Sequence, residues 1–143
     1  MKNCVMFLSY KHNVVTCQIY NESEVRVYLS SVNCSISERD NKKLDSFRQG
    51  LQWLGLQGYR GTLNVYLVGV YFEKWMTGVS VPPRSLLRNA FRAVRAMDTC
   101  GFRVKFNQVS RVHKHGEEIP KEKSGNLLEL MLDLEEDLEE EYE

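Results

Sequence analysis

Three short runs rich in β-branched and aromatic side chains fill the start of the chain: CVMFLSY (4–10), VVTCQIY (14–20) and VRVYLSS (25–31). Only KHN and NESE divide them. Breaks this short leave no room for a crossover connection, so successive runs must turn back on one another as an antiparallel meander. The third run alternates. Its spacing predicts Val25, Val27 and Leu29 on one face and Arg26, Tyr28 and Ser30 on the other.

From Ser37 the period changes. Leu44, Phe47, Leu51 and Leu54 recur at intervals of 3, 4 and 3, which draws one apolar stripe along a helix. Ser37 or Asp40 is placed to cap it. Gly50 inside that helix costs about 1 kcal/mol against alanine, so either packing against Gly50 is close or the helix is shorter than this span. QGYRG (57–61) reads as a loop. TLNVYLVGV (62–70) is nearly all apolar, as a strand covered on both faces is, and its place after a helix predicts a parallel position beside the first strand.

YFEKWMTG (71–78) reads as a short helix closed by Gly78, and VPP (81–83) introduces another with proline at its start. That helix, RSLLRNAFRAVRAM (84–97), puts Leu86, Leu87, Ala90, Ala93, Val94 and Met97 on one face. Arg84, Arg88, Arg92 and Arg95 form a ridge on the other. Phe102, Val104 and Phe106 then alternate with Arg103, Lys105 and Asn107 as a fifth strand. SRVHKHGEEIPKEKSG (110–125) is a polar loop, after which Asn126 and Glu129 make a helix-capping pair. Leu127, Met131, Leu134, Leu138 and Tyr142 follow at helical spacing.

Formal net charge is zero over 143 residues, yet the charges are segregated. All 19 Lys and Arg lie in 1–126 with ten of the 19 acids, an excess of nine positive charges; the nine remaining acids lie in 127–143 with no base. The chain therefore divides into a basic α/β body, 1–126, and an acidic amphipathic C-terminal helix or tail, 127–143, whose start belongs to the same domain. A length of 143 residues with 43% hydrophobic content suffices for one domain with its own core.

Strand, strand, strand, helix, strand, helix, helix, strand, helix: this order resembles the ribonuclease H fold, over residues 4 to about 138. The most specific match is NVYLVGVYFEKWMTG (64–78), which looks like that family's central strand followed by a short helix bearing an aromatic residue and a tryptophan. The resemblance implies an α/β (α+β) domain in three layers. A five-stranded mixed sheet, with an antiparallel meander followed by parallel strands, would be flanked by helices. It also implies catalysis by about four carboxylates converging on two divalent cations. At the corresponding places this chain has Ser9 in the first strand, Asp45 in the first helix, Gly69 at the end of the central strand, and Asn126 or Glu129 at the start of the last helix. Asp45 and Glu129 are thus weak catalytic candidates in an incomplete set, and the expectation leans away from an enzyme. Mg²⁺ enters only if the protein is nonetheless a nuclease; otherwise no metal or cofactor is expected.

No GxGxxG, GKS, GKT or GxSxG occurs. Cys4, Cys17, Cys34 and Cys100 are too scattered for a zinc site and read as reduced thiols of an intracellular protein, cytoplasmic or nuclear. No signal peptide or membrane span is expected. His113 and His115 lie in a basic loop beside Lys114, a place where the resemblance puts a loop histidine that assists product release. The ridge carries the functional expectation. A solvated helix face usually mixes acids with bases to gain pairing, whereas this helix has no acid before Asp98, and arginine suits bidentate phosphate contact. The sequence predicts a non-catalytic binder of RNA, hybrid or DNA, with phosphate contacts from Arg84, Arg88, Arg92, Arg95, Arg103, Lys105, His113 and Lys114. The alternative is a protein-interaction module, an adaptor or inhibitor of a nucleic-acid enzyme, working through its acidic C-terminal helix.

Overall fold

A computed structural model of the chain describes residues 3–109. The three N-terminal runs form β1 (Cys4–Lys11), β2 (Val14–Tyr20) and β3 (Arg26–Asn33). His12 and Asn13 join the first two with φ of 54° and 62°, the pair of positive angles that a two-residue hairpin turn requires. Both strand pairs are antiparallel, as the short breaks dictate. The Asn21 side chain accepts the Ser23 and Val25 amides and so closes the second connection.

The chain next makes a 3-10 turn (Ile36–Glu38) and enters α1 (Arg39–Leu56), then β4 (Gly61–Leu67), α2 (Val70–Met76), a second 3-10 turn (Arg84–Leu86), α3 (Leu87–Thr99) and β5 (Phe102–Gln108). The sheet order is β3-β2-β1-β4-β5, with β4 parallel to both β1 and β5. Such a mixed sheet is what an apolar strand following a helix predicted.

One face of the sheet carries the main core. Met6 and Leu8 of β1, Cys17 and Ile19 of β2, and Leu63, Val65 and Leu67 of β4 alternate inward. There they meet the α1 stripe of Leu44, Phe47, Leu51 and Leu54, all fully buried, each contributing about 1.5–3 kcal/mol of burial. Gly50 is the point of nearest approach. A Cβ there would stand 3.1 Å from Met6 Cε and 3.2 Å from Cys17 Sγ, so the unfavourable glycine is what lets α1 settle onto β1 and β2. α3 lies beside α1 through Ala90, Ala93 and Ala96, whose small side chains allow close contact, and Asn89 donates to Asn41 Oδ1 across the pair at 2.8 Å. A second buried cluster, Phe7, Tyr20, Tyr66 and Val109, occupies the other face of the sheet.

Three local expectations are corrected. In β3, Tyr28 packs on the Trp53 ring of α1 while Leu29 is 48% exposed; the register skips Val27 between Ile19↔Tyr28 and Tyr20↔Arg26. That bulge breaks the simple alternation, so Val25, Val27 and Leu29 do not share a buried face. Neither Ser37 nor Asp40 caps α1: the N-cap is Glu38, without a side-chain hydrogen bond, because the 3-10 turn already leads into the helix. The helix expected over 84–97 is a 3-10 turn followed by α3, so Arg84 precedes the α-helix. Among the described residues the fold has the sheet and one helical layer. The expected last helix, with Glu129, and the loop with His113, His115 and Lys114 lie outside them.

Candidate nucleic-acid interface

Arg84, Arg88, Arg92 and Arg95 are all exposed and line a single hollow of about 660 Å³ together with Leu87 and Phe91. The sequence makes this surface in a simple way. Alanines every three residues take the inward side of α3, which turns positions 88, 91, 92 and 95 outward. None of the four guanidiniums forms an ion pair or a side-chain hydrogen bond among the described residues. Four like charges set about one turn apart in succession repel, and an anionic partner relieves that repulsion.

Arg103 and Lys105 belong elsewhere. Phe102, Val104 and Phe106 pack against the helix-side core, so the intervening Arg103 and Lys105 project from the opposite face of β5. They do not line the α3 hollow. The six-residue surface expected from sequence therefore separates into two.

Three aromatic residues that precede the ridge in sequence belong to the core. Trp75 is buried in the core, and Tyr59 and Tyr71 pack against its edge. The aromatic residue on the cationic surface is Phe91, 65% exposed. The sequence reading assigned it to neither face, although its spacing, three after Arg88 and four before Arg95, puts it among the arginines.

The place where the resemblance would set metals lies between the start of α1 and the ends of β1 and β4. Lys43, only 3% exposed, projects there, and its Nζ donates to the carbonyl of Val68 at 3.4 Å. Arg39 is also buried and pairs with Asp40 at 3.2 Å. The Tyr10 hydroxyl donates toward Asn13 Oδ1 at 2.9 Å and lies 3.2 Å from the Cys34 carbonyl. Burial raises the pKa of Tyr10, the nearby Cys34 adds to the rise, and Arg39 opposes it; burial likewise raises that of the Cys34 thiol. The cluster thus combines a neutral phenol and thiol with cationic side chains.

Asp45 faces away from this cluster: Arg48 and Gln49, one turn on in the same helix, take its two carboxylate oxygens. Ser9 is buried on the other side of β1 from Leu8, and Gly69 has φ of 117°, an angle at which any residue with a Cβ is strained. Among the described residues no group of three or more His, Cys, Asp or Glu is arranged to hold a metal ion. With Lys43 in this place and Asp45 turned to its own helix, the described residues do not supply the converging carboxylates that two divalent cations need, so no metal-dependent step is derived for this site.

The sheet order, the parallel β1–β4–β5 half and the helices on α1's face define a ribonuclease H-like fold. No protein-family model matches the chain, and no curated protein matches it in sequence. Solved structures do match. Ribonuclease H1 of Halobacterium salinarum is 15% identical with a TM-score of 0.59, covering 80% of this chain and 89% of its own. The N-terminal ribonuclease H domain of a Mycobacterium tuberculosis protein is 13% identical with a TM-score of 0.62, covering 80% and 87%. LC11 ribonuclease H1 in complex with an RNA/DNA hybrid is 15% identical with a TM-score of 0.56, covering 90% and 99%. No described helix is long and apolar enough to cross a membrane.

Proposed function

We propose that this protein binds nucleic acid, whether RNA, hybrid or DNA, through the arginine surface of α3 and does not cleave it. The observation that carries the proposal is the convergence of Arg84, Arg88, Arg92 and Arg95 on one exposed hollow, with no partner for any of them among the described residues. Their guanidiniums offer planar forks that match phosphate oxygens. One similar fold supports a nucleic-acid partner: the LC11 enzyme is in complex with an RNA/DNA hybrid.

The absence of cleavage rests on Lys43. A lysine held beside the Val68 carbonyl stands where a two-metal mechanism needs carboxylates, and Asp45 is engaged by its own helix. Phosphate binding then serves retention rather than turnover.

The test uses the full chain with labelled RNA, DNA and hybrid 20-mers, once by fluorescence anisotropy and once by gel with Mg²⁺ or Mn²⁺. Binding without shortening of any strand is expected, and binding is lost when all four ridge arginines become glutamine with the circular dichroism unchanged. Equal binding by that variant refutes the interface. Hybrid cleavage that disappears in Asp45→Asn refutes the non-catalytic half.

A further inference from the structure

We infer that the α3 surface is selective for single-stranded nucleic acid and that Phe91 is the platform on which an unpaired base stacks. This rests on the ridge reading above and names the class of ligand the ridge takes. Phe91 is 65% exposed in the middle of α3, and the helix does not need it for packing, since Ala90, Ala93 and Ala96 make the inward contact. Its ring forms part of the wall shared by two adjoining hollows. One is the arginine-lined hollow; the other is an apolar groove of about 340 Å³ between α2 and α3, reaching Trp75, Met76 and Pro82. A flat apolar surface therefore sits at the edge of a cationic one, the pairing that single-strand binders combine: stacking for the base and charge for the backbone.

Helix geometry sets the spacing. Arg88 lies three residues before Phe91 and Arg95 four after it, so cations stand about 5 and 6 Å along the axis on either side of the ring. Phosphates flanking a splayed base meet those arginines while the base covers Phe91. A duplex keeps its base faces stacked inside and presents its backbone and groove edges, so it meets the arginines but leaves the ring without a base to stack on unless one is extruded at additional cost.

The discriminating experiment measures affinity of the full chain for a mixed-sequence single-stranded RNA 12-mer, the same DNA, and their duplexes, at fixed salt and across a salt series. Phe91→Ala is expected to weaken single-strand binding by about 5- to 150-fold, with the salt dependence unchanged and duplex binding altered less than twofold. Phe91→Trp retains affinity, and its fluorescence is quenched by single strands but not by duplex. If Phe91→Ala is silent on single strands while Arg88→Gln weakens them, the stacking inference falls and the arginine interface stands. If neither variant changes binding, both fall. Equal losses on single strand and duplex assign Phe91 to the integrity of the helix and overturn the inference, as does a full chain that binds duplex but no single strand.

Discussion

Replacing one ridge arginine must change how binding responds to salt, and the size of the change follows from the number of guanidiniums in the hollow. Each phosphate neutralised on a single strand contributes about −0.7 to the log-log slope of affinity against salt. Four arginines lining one hollow give a slope of about −2.8, so raising salt from about 50 to 200 mM lowers affinity about 50-fold. Arg88→Gln reduces the slope to about −2.1 and the same salt step to about 18-fold. Arg103→Gln is the internal control, because Arg103 projects from the opposite face of β5 to the core residues Phe102 and Val104. Anisotropy titrations at five salt concentrations measure both slopes. An unchanged slope in Arg88→Gln removes that residue from the interface. A slope lowered equally by Arg103→Gln refutes the assignment of binding to α3 and restores the wider surface expected from sequence.

Gly50→Val forces side-chain atoms into the 3.1 and 3.2 Å gaps to Met6 and Cys17 and should cost about 3 kcal/mol; a denaturation midpoint equal to wild type contradicts the close approach. Burial pushes the Cys17 thiol from 9.0 up to about 12, so the neutral thiol is favoured in the folded state. Its contribution is complete below about pH 9 and is lost as pH rises toward 12, in total about 4 kcal/mol. Melting temperatures between pH 8 and 11 should fall, and less steeply in Cys17→Ala; identical pH profiles refute the burial effect. Asp45→Asn should change stability by less than about 1 kcal/mol, as partly exposed pairs within one helix do, and leave the salt slope of binding untouched.

What could be read from sequence was what depends on period and connection length. Breaks of three or four residues force a meander, a change from period two to the Leu44–Phe47–Leu51–Leu54 spacing forces a helix, and apolar TLNVYLV belongs in a sheet interior. Features that depend on a single residue's rotation about its element were not legible. One extra residue at Val27 changes what β3 presents to α1, and no local pattern marks a bulge there. Asp45 and Lys43 differ by two positions, about 200° around a helix, so which of them reaches the end of β4 depends on how α1 lies against the sheet, and Gly50 sets that contact. Phe91 was hidden for a related reason. Its neighbours Ala90 and Ala93 suffice for packing only because α1 approaches α3 closely, a fact of tertiary distance rather than of sequence period.

The two charge features of the structure bear on one another. In a two-metal nuclease the cations join protein carboxylates to substrate phosphates, so part of the affinity is tied to the reacting centre. On the proposed non-catalytic reading, a chain whose α1 puts a buried lysine beside the Val68 carbonyl makes no such bridge, and phosphate would be held by side chains that carry their own positive charge. α3 and the turn before it supply four of them around a hollow whose lining includes no acid. That reading separates the two side-chain roles within one fold. Substitutions at Lys43 should act on folding and leave the salt slope alone, whereas substitutions at Arg88 or Arg92 should act on the slope and leave folding alone, because the first side chain is buried and the others stand in water.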